Sequence, residues 1–257
     1  MKPRRLLVVV MVLFAFAAPV WRDDHAAAVD SLKTRAAQGE AAAQNNLGLR
    51  YYKGQGAPQD YAEALKWFRL AAAQGNAAAQ TSLGVMYSQG NGVPQDYAEA
   101  LKWYRLAAAQ GDASAQYNLG IAYSEGQGGP QDDAEALKWL RRAAAQGEAE
   151  AQHNLGNLYA EGRGVPQDYA AASKWFQLAA TQGHAWAQAI LGGMYASGEG
   201  IPQDYVQAYK WFYLAAATST EKEVRDGAAQ SRDKLAARMT SAQLAEAQKL
   251  AREWKKE

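Results

Sequence analysis

Few side chains in this chain are placed to do chemistry. Its three histidines are His25, His153 and His184, and none has a second histidine four residues away. A metal site needs several ligands converging on one point, so this spacing gives no reason to expect a metal. Ser231 and Lys234 share the nucleophile spacing of penicillin-recognising enzymes, but no Ser-Asp-Asn or Lys-Thr-Gly accompanies them. Gly54-Gln55-Gly56 and its copies lack the further glycine and the Lys-Ser/Thr of a phosphate loop, and a turn between helices accounts for them. The chain contains no cysteine, which excludes disulfides, thiolate metal ligands, cysteine nucleophiles and an amino-terminal lipoprotein anchor. No catalytic residue, metal or other cofactor is therefore expected.

Charge points the same way. Formal net charge is +1 over 257 residues, so no nucleic-acid partner is expected. A row of lysines, Lys66, Lys102, Lys138, Lys174 and Lys210, precedes a row of tryptophans. Such a row would suit an acidic partner. The plainer reading is a solvated helix face, since Glu63, Glu99 and Glu135 lie three residues earlier and can pair along the helix.

The elements that position these groups follow from an internal repeat. Pro58, Pro94, Pro130, Pro166 and Pro202 are each 36 residues apart. Trp67, Trp103, Trp139, Trp175 and Trp211 keep the same period, as do Tyr51, Tyr87, Tyr123, Tyr159 and Tyr195. Leu-Gly pairs recur with Gly48, Gly84, Gly120, Gly156 and Gly192. Five whole units run 40–75, 76–111, 112–147, 148–183 and 184–219, with no insertion or deletion. A period of this length is the mark of a stacked repeat.

Each unit reads as two helices. In residues 76–111, Asn76 can cap the first helix, and Ala79, Leu83, Gly84 and Tyr87 form one apolar stripe. Gly90-Asn91-Gly92 ends that helix and Pro94 forbids its continuation. Asp96 and Glu99 have the spacing of a capping box, repeated at Asp60/Glu63 and Asp132/Glu135 and approximated at Asp204/Gln207. Ala100, Trp103, Tyr104, Ala107 and Ala108 form the second stripe. The tryptophans are expected to supply the main burial between units, and the glycine after each leucine to let another helix backbone approach. Residues 23–39 align with a second helix and read as an amino-terminal cap, while 220–257 read as two further capping helices. Thr240 and Gln243 can form a capping box there.

The motif Ala79-Gln80-x-x-Leu83-Gly84-x-x-Tyr87-x-x-Gly90-x-Gly92-Val93-Pro94-Gln95-Asp96, followed by Ala100-x-x-Trp103 and Ala107-Ala108-x-Gln110-Gly111, resembles a Sel1-like repeat. That family is related to the tetratricopeptide repeat, and the resemblance covers residues 23–219. It implies an all-α fold, a right-handed α-solenoid of five antiparallel helix pairs, with first helices on the concave side. It also implies an adaptor role in signalling, assembly or host–microbe contact.

Positions that vary between units are free to bind. On the first helices one such face carries Asn45, Leu49 and Tyr52, then Thr81, Val85 and Ser88, then Tyr117, Ile121 and Ser124, then His153, Asn157 and Ala160. In the fifth unit it carries only Ala189, Gly193 and Ala196. By resemblance this face lines the groove. It is nearly uncharged, which suits an extended peptide or an amphipathic helix, with Tyr117 and His153 as anchors.

The first residues speak to location. Lys2, Arg4 and Arg5 precede an apolar run of 13 residues, Leu6 to Ala18, and Ala15-Phe16-Ala17 offers a cleavage site. This reads as a secretory signal removed after Ala17, the alternative being a retained anchor extended through Pro19, Val20 and Trp21. Removing residues 1–17 would take the charge from +1 to −2. The expectation is an exported, periplasmic or secreted monomer with no remaining membrane span, binding a protein or peptide rather than catalysing a reaction. Two alternatives remain at this stage: a wall-associated protein acting on peptidoglycan or β-lactams, and a secreted effector contacting a host protein.

Overall fold

A computed structural model describes residues 29–254, so the segment read as a signal, 1–17, lies outside the described residues. Those residues form thirteen helices and no strand. Helix α1 covers 29–37. The five pairs follow as α2 (Ala41–Lys53) with α3 (Tyr61–Ala73), α4 (Ala77–Gln89) with α5 (Tyr97–Ala109), α6 (Ala113–Glu125) with α7 (Asp133–Ala145), α8 (Ala149–Glu161) with α9 (Tyr169–Thr181), and α10 (Ala185–Ser197) with α11 (Tyr205–Thr218). Helices α12 (Lys222–Ala236) and α13 (Ser241–Glu253) complete the chain. The chain divides into two compact units, one ending at Ala107 and one starting at Ala108.

One loop chemistry recurs in four of the five repeats, while in the third Gln131 turns to Asp133. A glycine in the left-handed region ends each first helix, as Gly90 does at φ 73°, donating to the Met86 carbonyl. The chain then turns through proline to Gln-Asp. Gln95 donates from Nε2 to the Ser88 carbonyl at 2.8 Å, and the Asp96 backbone N–H donates to the Tyr87 carbonyl at 2.9 Å. The aspartate side chain then accepts from the first amides of the second helix. The boxes expected at Asp60/Glu63 and Asp132/Glu135 are only half formed. The Asp60 N–H is already spent on the Tyr51 carbonyl, and Glu63 turns instead to Lys66 and to the Trp67 indole N–H at 3.1 Å. A full capping box forms at Thr240/Gln243.

The core differs from expectation in one respect. Trp67, Trp103, Trp139 and Trp175 are only half-buried, and Trp211 alone of the five is fully enclosed. The residue after each tryptophan takes the central place: Phe68, Tyr104, Leu140, Phe176 and Phe212 are all buried. Each faces the glycine of its own first helix. A Cβ added at Gly156 would lie 2.7 Å from the Phe176 ring, and Gly48, Gly84, Gly120 and Gly192 stand in the same relation to Phe68, Tyr104, Leu140 and Phe212. The glycine therefore makes room for a side chain rather than for a backbone. At Gly120, where the partner is the smaller Leu140, the Leu140 backbone nitrogen also comes within 3.3 Å of the Cβ position.

A buried polar clamp joins successive helix pairs. In the first unit Gln44 donates to the Ala36 carbonyl at 3.1 Å and accepts from Gln74 at 2.8 Å, and Gln80 donates to the Ala72 carbonyl at 3.3 Å. In the second unit Gln116 donates to Ala108, Gln152 to Ala144 and Gln188 to Ala180. Gln116 and Gln152 accept in turn from Gln146 and Gln182, each at 2.8 Å. Buried amides are stable only when so satisfied, so the clamp fixes the register of stacking. At the end of the second unit, Val224, Ala228, Leu235 and Ala247 pack on Ala208, Tyr209, Phe212 and Ala215, so α12 and α13 cover the last pair.

Candidate functional site

In the first unit, the variable residues of α2 and α4 draw together. Leu49, Tyr52, Thr81 and Val85 line a cavity of about 160 Å³ with Lys53, Ser82 and, at its floor, Phe68. The Tyr52 hydroxyl donates to Gln89 Oε1 at 2.9 Å and accepts from Asn91 Nδ2 at 3.0 Å, which holds the ring as a fixed wall. Asn45 and Thr81 are less open than the sequence implied, at 7% and 9% exposure. Asn45 Oδ1 has no hydrogen-bond donor among the described residues. Ser88 turns inward, donating to the Val85 carbonyl and sharing a 3.2 Å hydrogen bond with the Tyr104 hydroxyl.

In the second unit, the same face is not uncharged, which corrects the sequence reading. Tyr117 is half-buried on α6. Burial, together with Glu150, Glu148 and Glu125 nearby, holds its hydroxyl pKa above the ordinary tyrosine value. Ile121 packs against the core formed by α7 of the third repeat and α8 of the fourth. Ser124 is held by Arg163 Nη2, which donates to its carbonyl at 3.1 Å and its hydroxyl at 3.0 Å. Arg163 also pairs with Asp133 at 2.6 Å. Asp133 stands where the other repeats have Tyr61, Tyr97, Tyr169 and Tyr205, so the arginine and the aspartate form one joint exception. Ala160 packs on the core shared by the fourth and fifth repeats. At Gly193 an added Cβ would meet nothing within 4 Å, so the fifth repeat leaves open space on this face.

His153 and His184, read from the sequence as scattered, are neighbours. Their rings stack with centroids 4.5 Å apart and planes 25° apart. His184 is the N-cap of α10, its Nδ1 accepting the Ala187 N–H at 3.1 Å. That fixes the neutral tautomer with the proton on Nε2, which lies 3.0 Å from Glu150 Oε2 and donates to it. His153 also faces Phe176, with centroids 6.0 Å apart, and its Nε2 lies 3.4 Å from the Asn157 amide. Burial, and then the neighbouring His184, lower the His153 pKa to about 4. One ligand atom from each of Glu150, His153 and His184 lies within 4.8 Å of the others. Spacing along one helix could not reveal this, because the partner stands in the next repeat.

Four lysines of the row, Lys66, Lys102, Lys138 and Lys174, are exposed, while Lys210 is half-buried and burial lowers its pKa. Lys102 pairs with Glu99 at 2.6 Å and Lys138 with Glu135 at 2.7 Å, and Lys66, Lys138 and Lys210 lie over their neighbouring tryptophan rings. Ser231 and Lys234 stand on one turn of α12, with Lys234 exposed.

Stacked helix pairs with a recurring apolar core and a variable face define an α-solenoid interaction scaffold. The Sel1 repeat family model matches residues 41–76, 77–112, 113–148, 149–184 and 187–217, and the chain belongs to that family. Among solved structures it is similar to a protective antigen of uropathogenic Escherichia coli strains that displays an SLR fold, with 35% identity and a TM-score of 0.71. That match covers 89% of this chain and 53% of the antigen, so the chain spans about half the antigen's length. It is also similar to a Sel1 repeat protein from Oxalobacter formigenes, with 36% identity, a TM-score of 0.70, and coverage of 79% of this chain and 84% of that one. No curated protein matches the chain. Among the described residues no helix is long and apolar enough to cross a membrane.

Proposed function

We propose that this chain is an exported, non-catalytic scaffold that holds a segment of another protein against the variable face of its first helices. The observation that carries this reading is the cavity in the first unit, where Leu49, Tyr52, Thr81 and Val85 surround an apolar floor at Phe68. Apart from the lysine row and the tryptophans beside it, the residues common to every repeat serve turns, the glutamine clamp and the core. These four differ from their counterparts and still converge, which suits an inserted side chain of a bound segment. Family membership supports binding rather than catalysis. Export is supported by the basic start, the apolar run Leu6 to Ala18 and the Ala15-Phe16-Ala17 exit.

A peptide library selected on the purified chain tests the binding site, with Val85→Trp as the blocking variant. Peptides sharing one apolar anchor are expected, and they should not bind the variant, checked as folded by circular dichroism. Equal binding to both proteins would place recognition elsewhere. Amino-terminal sequencing of the protein recovered from a periplasmic extract tests export; a first residue of Ala18 is expected, and an intact Met1 would refute cleavage.

A further inference from the structure

We propose that Glu150, His153 and His184 bind one divalent transition-metal ion, with zinc as the ion that suits the donor set best. The inference stands apart from peptide binding and rests on how the fourth and fifth repeats meet within the second unit. Two imidazoles and a carboxylate form a nitrogen–oxygen set of the kind zinc accepts, with a fourth position left for water. The three ligand atoms already lie within 4.8 Å of one another. In a tetrahedral site with bonds of about 2.0–2.1 Å, ligand atoms stand roughly 3.4 Å apart. Glu150 Oε2 already stands 3.0 Å from His184 Nε2, and its side chain is 56% exposed, so the remaining closure falls on His153, whose ring must turn out of its stack on His184 to aim a lone pair at the ion.

The surroundings favour a metal over a proton. His153 is sheltered by Phe176 and stacked on His184, so at neutral pH its ring is uncharged and keeps a lone pair for an ion. The Asn157 amide nitrogen lies 3.4 Å from His153 Nε2 and faces its lone pair as a donor, so an ion on Nε2 replaces a long hydrogen bond there. The His184 side chain is only 8% exposed and fixed by its cap, so it is held in place before any ion arrives. Glu150 gives access from solvent and adds the negative charge.

Binding has one definite local cost. A metal on His184 Nε2 displaces the proton that now goes to Glu150 and moves the ring proton to Nδ1. Nδ1 then no longer accepts the Ala187 N–H, and α10 loses that cap bond. A zinc ion held by unrelated surface groups would leave this bond alone, so the Ala187 amide is a specific reporter.

The test is calorimetric titration of zinc chloride into the tag-free chain, stripped of metal with a chelator, with the Ala187 amide followed by NMR. The variant His184→Asn removes the imidazole but leaves an oxygen able to cap α10, so the fold is retained and is checked by circular dichroism. One equivalent of zinc should bind, and the Ala187 resonance should shift as it fills. His184→Asn should weaken binding by at least the roughly 10–100-fold that loss of an outer-shell partner costs, and Glu150→Gln should weaken it too. No binding at millimolar zinc would overturn the proposal. So would binding of equal strength in His184→Asn, or saturation without a shift at Ala187.

Discussion

The His153 ring stacks on His184 at 4.5 Å, joining the first helix of the fourth repeat to the cap of the fifth repeat's first helix. His153 is kept neutral by burial, with a pKa of about 4 against an ordinary 6.5. The groups facing it are His184, Glu150, Asn157 and Phe176. Because the unfolded chain takes up this proton more readily, stability is complete above about pH 6.5 and is lost as pH falls towards 4. In excess chelator, the chain should lose on the order of 3 kcal/mol of stability across that window. His153→Leu should flatten the dependence in urea melts taken between pH 4 and 7. An unchanged slope in the variant would remove His153 as the cause.

The glycine facing each central side chain gives opposite expectations at two sites. Gly156→Ala places a methyl 2.7 Å from the buried Phe176 ring, so it should destabilise by about 1–3 kcal/mol despite the better helix former. Gly227, exposed on α12 with nothing within 4 Å of its Cβ position, should gain roughly 0.5–1 kcal/mol on the same change. Thermal melts of the two variants shifting in one direction would contradict the packing described.

Burial also ranks neighbours. Phe176→Ala should cost about 3–5 kcal/mol and Trp175→Ala less, because Phe176 is 1% exposed while Trp175 is half-buried. Equilibrium unfolding in urea distinguishes them, and the reverse order would restore the tryptophan as the main contact.

Gln152→Leu removes one donor from the Ala144 carbonyl, which still accepts from the Gly147 N–H, and leaves the Gln182 amide without its acceptor, so it should cost about 1–3 kcal/mol. Adding Gln182→Leu should cost less than its effect alone, since the two changes remove one shared hydrogen bond. Strict additivity in that cycle would show the clamp to be incidental.

Arg163 and Asp133 should likewise couple by about 0.5–1 kcal/mol in a double-mutant cycle to alanine, given their 2.6 Å contact. The coupling should shrink in molar salt because both side chains are partly exposed. A cycle insensitive to salt would point to packing instead of charge.

The fold was legible in the sequence because its signals are local and repeated. Asn76 caps α4 as its position suggested, Gly90 ends it, and Pro94 separates it from α5. What escaped was the competition for each group. Glu63 has the spacing of a capping box, yet its carboxylate finds the Trp67 indole, because the backbone N–H it would need is already taken. The histidine contact escaped for another reason. His153 meets His184 across a sequence separation of 31, which no single helix face displays. The glutamines carry a usable signal: Gln152 and Gln182 lie 30 residues apart and bond directly. Residues about thirty apart in this chain are therefore spatial neighbours, and pairing the histidines on that rule would have brought them together.

The glutamine clamp also bears on how such a gene changes. Each repeat carries both halves of the joint, a glutamine near its start and a receiving carbonyl near its end. Recombination that duplicates or removes a whole number of repeats thus creates a junction that already fits, with no compensating substitution required. Thr218 marks where such growth stops: it stands where Gln146 and Gln182 stand in earlier repeats and reaches Gln188 only at 3.5 Å.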